Sequence, residues 1–398
     1  MRASVLVALS GLAACGRGNF DAITDGGLGS ETGENGDGGS ATCTPTTEVC
    51  NGVDDNCDGE IDEGCPCTAF DVNVPAPVMN DCPGFVWTGS GFFVVYYDGT
   101  NRSIQHFSAI GAAGALHSLG SATTTSLPVG HDSLAWSGTR LAAGTTTNTA
   151  VSINFFDENL VPLGSPTVLP TPGYGAHIVW TGDRFGVVWA SSPLNQLYLV
   201  ELDGNGVPLG PEIPLPPTNV DIGVITATPT GYLIPYRDGS TPHLLVWERA
   251  TGVTADLLPD LAPQGAYIAT AAGAGGYVVF EAGVPVGTSK LQMLDASGQL
   301  VGSSIATPTL GMAPSYTAIV ATPTDFRLIG NAGSGTQTIY EAGLDATGAI
   351  TSAPTSVLVL SNVNGYSAHS AVSASGRHAF VLAYGDVSSK LRLIQRCE

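Results

Sequence analysis

One spacing constrains this chain more than any other feature. An apolar residue that opens a short strand recurs at Phe92, Leu141, Phe185, Tyr232, Tyr277, Phe326 and Phe380, at intervals of 49, 44, 47, 45, 49 and 54 residues. The plainest copies are Trp87-Thr88-Gly89-Ser90-Gly91-Phe92, Trp136-Ser137-Gly138-Thr139-Arg140-Leu141 and Trp180-Thr181-Gly182-Asp183-Arg184-Phe185. Large residues alternate within the copies, as in Phe92/Val94/Tyr96, Phe185/Val187/Trp189, Tyr232/Ile234/Tyr236 and Phe380/Leu382/Tyr384. That period of two places three side chains on one strand face. No stretch keeps a helical apolar period over three turns, so the fold class is all-β.

A repeat of about 48 residues leaves room for four short strands. A lone four-stranded sheet cannot cover its own faces, whereas a ring of such sheets covers each face with the next. The spacing therefore predicts a β-propeller over residues 66–398, with seven blades; six or eight are compatible with the weaker copies after Tyr232. A β-sandwich or two stacked β domains would share the short strands, but not a spacing held over more than 280 residues. Trp87, Trp136, Trp180 and Trp189 fall on repeat positions and read as core.

A second anchor is an apolar strand that ends at Asp and turns through Gly: Leu202-Asp203-Gly204-Asn205-Gly206, Leu294-Asp295-Ala296-Ser297-Gly298 and Leu344-Asp345-Ala346-Thr347-Gly348. Asp accepts from nearby backbone N–H groups and Gly takes positive φ, so these aspartates read as turn chemistry. Ring closure brings the two ends together, which predicts a disulfide from Cys397 to Cys82 or Cys67; the sequence leaves both open.

The N-terminus carries an address. Met1–Cys15 has one basic residue, Arg2, then a short apolar run and small residues, the order of a secretory signal over residues 1–14. Leu12-Ala13-Ala14-Cys15 resembles the bacterial lipobox, which implies lipidation of Cys15 and attachment to a membrane. Gly16 is compatible with sorting to the outer membrane, with surface exposure as the further expectation. After Cys15 no apolar run is long enough to span a bilayer. Residues 15–42 are rich in Gly, Asp, Glu, Ser and Thr and are expected as a disordered linker, with an r.m.s. reach of about 30 Å.

The formal net charge is −21 with only 13 Lys+Arg. No basic patch is available to neutralise phosphates, so nucleic acid is excluded as a partner. Export places the cysteines in an oxidising compartment, where Cys43, Cys50, Cys57, Cys65, Cys67, Cys82 and Cys397 are read as disulfide formers. Seven is odd, so one thiol is unpaired or pairs outside the chain.

Residues 43–65 combine four of these cysteines with acids. With Asp54 at loop position one, Asn56 falls at three, Asp58 at five, Gly59 at six, Glu60 at seven, Ile61 at eight and Asp62 at nine. Alternating oxygen ligands converge as such a loop curls, and the hard cation that takes them is Ca²⁺. Position twelve, where a bidentate Glu is expected, is Cys65, so Asp62 or Glu63 must supply the missing oxygens; Asn51 is a further donor. The alternative is an acidic disulfide knot without metal. Cysteine spacings of seven, seven and eight lack the C-x2-C pair of a zinc site.

The run Glu48-Val49-Cys50-Asn51-Gly52-Val53-Asp54-Asp55-Asn56-Cys57-Asp58-Gly59-Glu60-Ile61-Asp62-Glu63-Gly64-Cys65 resembles the metal-binding motif of MopE-like surface proteins, common in exported lipoproteins of the myxobacterial type. The resemblance covers about 20 of 398 residues and implies exposure and cation binding, with no activity for the rest.

No P-loop, H-E-x-x-H or G-x-S-x-G is present, and His131-Asp132 reads as an exposed turn. The leading expectation is a lipid-anchored surface module for binding or adhesion, with a glycan or surface protein as ligand. The alternatives are an exported hydrolase or lyase acting on glycans and a purely structural envelope protein. The fold by itself does not separate these.

Overall fold

A computed structural model describes residues 18–19, 45–46 and 69–72 and, with breaks at loops such as 122–133 and 307–314, residues 84–397. The described strands form seven sheets. Six are consecutive meanders of the segments beginning at Gly84, Leu134, Gly173, Val220, Gly265 and Ser315. The seventh joins Tyr366–Val372, Arg377–Tyr384 and Lys390–Cys397 to Ala69–Val72, which runs antiparallel to Lys390–Cys397 with Ala69 opposite Ile394. A strand that precedes the first blade thus completes the last one. This closes a seven-bladed propeller. Gly18–Asn19 adds a two-residue parallel strand beside Tyr366–Val372; the rest of the expected linker lies outside the described residues.

In every blade the connections between strands one and two and between strands three and four lie at one end of the ring, here called the lower end. The other connections lie at the upper end. Ala69–Val72, as a fourth strand, starts at the lower end.

The anchors of the sequence repeat open the second strand of their blades. Phe92, Leu141, Phe185, Tyr232, Tyr277 and Phe326 are the first or second residues of strands Gly91–Tyr97, Leu141–Thr147, Arg184–Ser191, Gly231–Asp238, Gly276–Gly283 and Phe326–Ala332. The last copy differs. Arg377 pairs with Cys397 and Phe380 with Ile394, so His378 holds the anchor register and Phe380 lies two positions deeper. A shift of two leaves the alternation unchanged, which is why the sequence pattern reads the same.

Leu141, Phe185, Tyr232, Tyr277 and Phe326 face the preceding blade. Phe185, Val187 and Trp189 pack with Val151, Ile153 and Phe155 of the second blade, while Val188 and Ala190 pack with Tyr232, Ile234 and Tyr236 of the fourth. Tyr277 and Val279 likewise meet Leu233 and Val246 of the fourth blade, and Phe326 and Leu328 meet Phe280 and Met293 of the fifth. Second strands are therefore buried on both faces, and all of Phe185–Ser191 is buried. Each fully buried Leu, Val or Phe contributes about 1.5–3 kcal/mol, so the inter-blade seams are the core. Trp136 and Trp189 are buried there, and the Trp189 indole N–H donates to the Thr171 carbonyl at 3.2 Å.

Candidate functional site

The calcium-loop candidates Asp54, Asn56, Asp58, Glu60, Asp62 and Glu63 lie outside the described residues, as do Cys15, Cys43, Cys50, Cys57, Cys65, Cys67, Cys82, His131 and Asp132. Cys397 ends its strand opposite Arg377. Among the described residues no group of three or more His, Cys, Asp or Glu side chains is placed to hold a metal.

The Asp-x-x-Gly aspartates are turn formers. Asp203 Oδ1 accepts from the backbone N–H of Asn205 and Val207, each at 2.8 Å. Asp295 does the same for Ser297 and Gln299, and Asp345 for Thr347 and Ala349. These bonds hold all three carboxyls below the usual aspartate range, led by the Val207 amide for Asp203 and by the Ser297 and Thr347 hydroxyls for the other two. A fourth copy, Asp157, accepts from Asn159 and Val161. Here the left-handed residue is Leu160, with φ 58°, where the others have Gly206, Gly298 and Gly348. The missing glycine hid this copy from a sequence pattern.

The most developed polar cluster lies at the lower end of the seam between the third and fourth blades. Gly186 makes room for it: a Cβ there would collide with the Tyr232 ring. Tyr232 can therefore lie against strand Arg184–Ser191 and donate its hydroxyl to Glu201 Oε1 at 2.8 Å. Arg249 Nε donates to the same oxygen at 2.7 Å, and Arg184 bonds the other carboxylate oxygen at 3.2 Å. The Arg249 guanidinium also sits 5.7 Å from the centre of the Tyr232 ring. Asp183 completes the chain, accepting from Arg184 at 2.6 Å and 3.0 Å.

The electrostatics follow from these contacts. The Arg184 bond, ahead of smaller effects, lowers the Asp183 carboxyl to about 2. Burial, then Glu201, pushes the Tyr232 phenol up, so it stays a donor. Burial alone would lower Arg249; the bonds to Glu201 and Tyr232 outweigh it and keep the guanidinium charged. Both oxygens of Glu201 are engaged, and a phenol held protonated is not a nucleophile. The chemistry this arrangement supplies is an inter-blade clamp.

Two further ionic clusters are built in, one between blades and one within a blade. Arg237 of the fourth blade is ion-paired with Glu281 of the fifth, whose side chain is completely buried. In the sixth blade Arg327 bonds Asp325 at 3.1 Å and Ser352 at 3.3 Å and lies 3.6 Å from Glu341. Sequence reading missed all three. The one signal was scarcity: with 13 Lys+Arg against 34 Asp+Glu, a basic residue inside a repeat is a candidate for a specific pairing.

No family model matches the chain, and no curated protein matches it. Solved propellers do. The Dos1 propeller superposes with a TM-score of 0.51 at 10% identity, covering 83% of this chain and 95% of that one. The WD40 domain of Toxoplasma gondii coronin superposes with a TM-score of 0.52 at 10% identity, covering 82% of this chain and 85% of that one. At such identity the likeness concerns the fold alone, and the fold it supports is the β-propeller.

Proposed function

We propose that this chain is a lipid-anchored surface module for binding or adhesion, with a glycan or a surface protein as ligand and a calcium-stabilised acidic loop between tether and ring. The observation that carries the reading is the order of segments: a lipobox ending at Cys15, a Gly-rich spacer, the Asp54–Glu63 acid loop, then a propeller. The position of the loop adds support. Cys65 precedes by four residues the strand Ala69–Val72 that closes the ring. An ion bound between Asp54 and Glu63 would stiffen the joint at which the tether meets the latch.

Calorimetric titration of calcium into the oxidised chain carrying Cys15→Ser tests the loop. A saturable heat that Asp54→Ala and Asp58→Ala each abolish is the expected result. No heat up to the millimolar range of weak extracellular sites would leave the segment a disulfide spacer. In cells, the same Cys15→Ser change releases the protein from membranes if the anchor reading holds; acylated, membrane-bound product from that variant would overturn it. Capture of a defined glycan or surface protein by the soluble chain is the test of the binding role.

A further inference from the structure

One blade differs from the rest at its inner edge. Among the described residues, the inner strand of each of the first six blades ends its sheet, whereas in the seventh Tyr366–Val372 has Gly18–Asn19 beyond it. Tyr366–Val372 pairs with Arg377–Tyr384 along one edge, so its other edge faces the axis of the ring. Gly18–Asn19 is paired along that second edge, with Gly18 opposite Ser370 and Asn19 opposite Ala371. A strand in that place lies in the central channel. It also touches Gly265–Gly273 and Ser315–Ala321, the inner strands of the fifth and sixth blades. Inner-strand edges present backbone N–H and C=O groups to the channel, and an added strand satisfies them. Gly18 brings no side chain into a space bordered by three backbones.

The pairing fixes a direction. It is parallel, and Tyr366–Val372 runs from the upper end to the lower, where it connects to Arg377. Gly18 to Asn19 therefore also points down, and the side leading back to Cys15 points up. Cys15 precedes Gly18 by three residues, which span at most about 10 Å. Tyr366 stands four residues above Ser370, roughly 13 Å. Chain length and direction together keep Cys15 in the channel or at its upper mouth.

We infer that the ring is threaded on its own N-terminal segment: Gly18–Asn19 is a resident strand that fills the channel against the seventh blade, and the side leading to Cys15 leaves by the upper mouth. The threading is independent of the lipid-anchored reading; the orientation that follows from it rests on that reading. With Cys15 acylated, the upper mouth faces the bilayer, and three residues in place of a free linker separate lipid from ring. The lower face is then the one presented to a ligand.

Trypsin tests the threading. Arg17–Gly18 is a tryptic bond and the next basic residue is Arg102, so cleavage at Arg17 is read from one released N-terminal peptide. In the full chain carrying Cys15→Ser, that cleavage is expected to be at least about a hundredfold slower than in a free peptide of residues 12–24. The further double variant Gly18→Val and Asn19→Pro puts bulk at the axis and removes a backbone donor; it should be cut within about tenfold of the peptide carrying the same changes. Hydrogen exchange across Tyr366–Val372 should quicken in that variant while the melting transition stays cooperative. Cleavage of the parent at the peptide's rate, equal protection in the double variant, or unchanged exchange across Tyr366–Val372 would overturn the inference. On vesicles, the acylated protein should resist release by trypsin, whereas a ring held by a free linker is shed as Arg17 is cut. Failure to obtain acylated, vesicle-bound protein would remove the anchor reading and leave the result on the Cys15→Ser chain standing.

Discussion

Glu201 and Tyr232 meet across a blade boundary: the phenol of the fourth blade donates at 2.8 Å to the carboxylate of the third, and Arg249 shares the same oxygen. The Glu201 side chain is only 14% exposed, so its charge depends on these partners. Glu201→Gln is expected to destabilise the ring by about 2 kcal/mol, below the cost of breaking a fully buried pair because Arg184 and Arg249 keep partial access to water. Urea unfolding measures it. A double-mutant cycle with Tyr232→Phe should show coupling of about 1 kcal/mol; additive losses would mean that the phenol contributes nothing to the clamp.

The Arg237–Glu281 pair joins the fourth and fifth blades with the carboxylate fully buried. Glu281→Gln leaves a guanidinium short of its counter-charge and should cost about 3–5 kcal/mol. Arg237→Met combined with Glu281→Leu removes both charges, and most of the loss should return. If the double variant is no more stable than Glu281→Gln, the pair stabilises through geometry that apolar packing does not replace.

Leu160 occupies the left-handed turn position that glycine holds in three sister turns, and it is buried. Leu160→Gly relieves roughly 1 kcal/mol of backbone strain but gives up about 2–3 kcal/mol of burial, so a net loss of about 1–2 kcal/mol is expected in thermal or urea unfolding. A gain would show that the strain outweighs the packing. At the sister position Gly206 any side chain is worse, because a Cβ there would run into the Phe155 ring.

Acid should unfold the ring through its turn and clamp carboxylates. Asp183 is lowered from 3.8 to about 2 mainly by its bond to Arg184, and Asp203, Asp295 and Asp345 are lowered by turn hydrogen bonds. A carboxyl with a depressed folded-state value stabilises fully above its unfolded value and loses that contribution as pH falls through the folded one. These carboxyls are largely solvent-exposed, so the urea midpoint should fall modestly between about pH 4 and pH 2. Asp183→Asn should flatten part of that fall; an unchanged profile would remove Asp183 from the account.

The closure topology narrows the expected Cys397 disulfide. Cys397 ends a third strand at the lower end, and Ala69 begins its partner there, two residues after Cys67. Cys82 lies two residues before Gly84, where a first strand starts at the upper end, a strand length of about 20 Å away. Peptide mapping without reduction should recover Cys67 joined to Cys397, and a Cys82–Cys397 peptide would overturn that assignment. Cys67→Ser should then lower thermal stability by about 2–4 kcal/mol, since the bond closes a loop of more than 300 residues.

Much of this was legible in the sequence, for a physical reason. In the first six blades the second strand opens with a large apolar side chain at the same register, because that position fills a seam between blades. Phe92, Leu141, Phe185, Tyr232, Tyr277 and Phe326 recur on that account, and Asp203, Asp295 and Asp345 recur because one turn chemistry serves each blade. Period and turn residues are local quantities, so the chain displays them without being folded.

The tertiary structure decided what depends on two distant segments. Which face of Arg184–Ser191 meets which neighbour, the meeting of Glu201 with Arg249 and Tyr232, and the pairing of Arg237 with Glu281 all join residues that no local spacing links. Ring closure is the clearest case. Ala69–Val72 looks like any other short strand until Lys390–Cys397 lies beside it, because an edge strand's partner is chosen by where the last blade stops and not by its own residues.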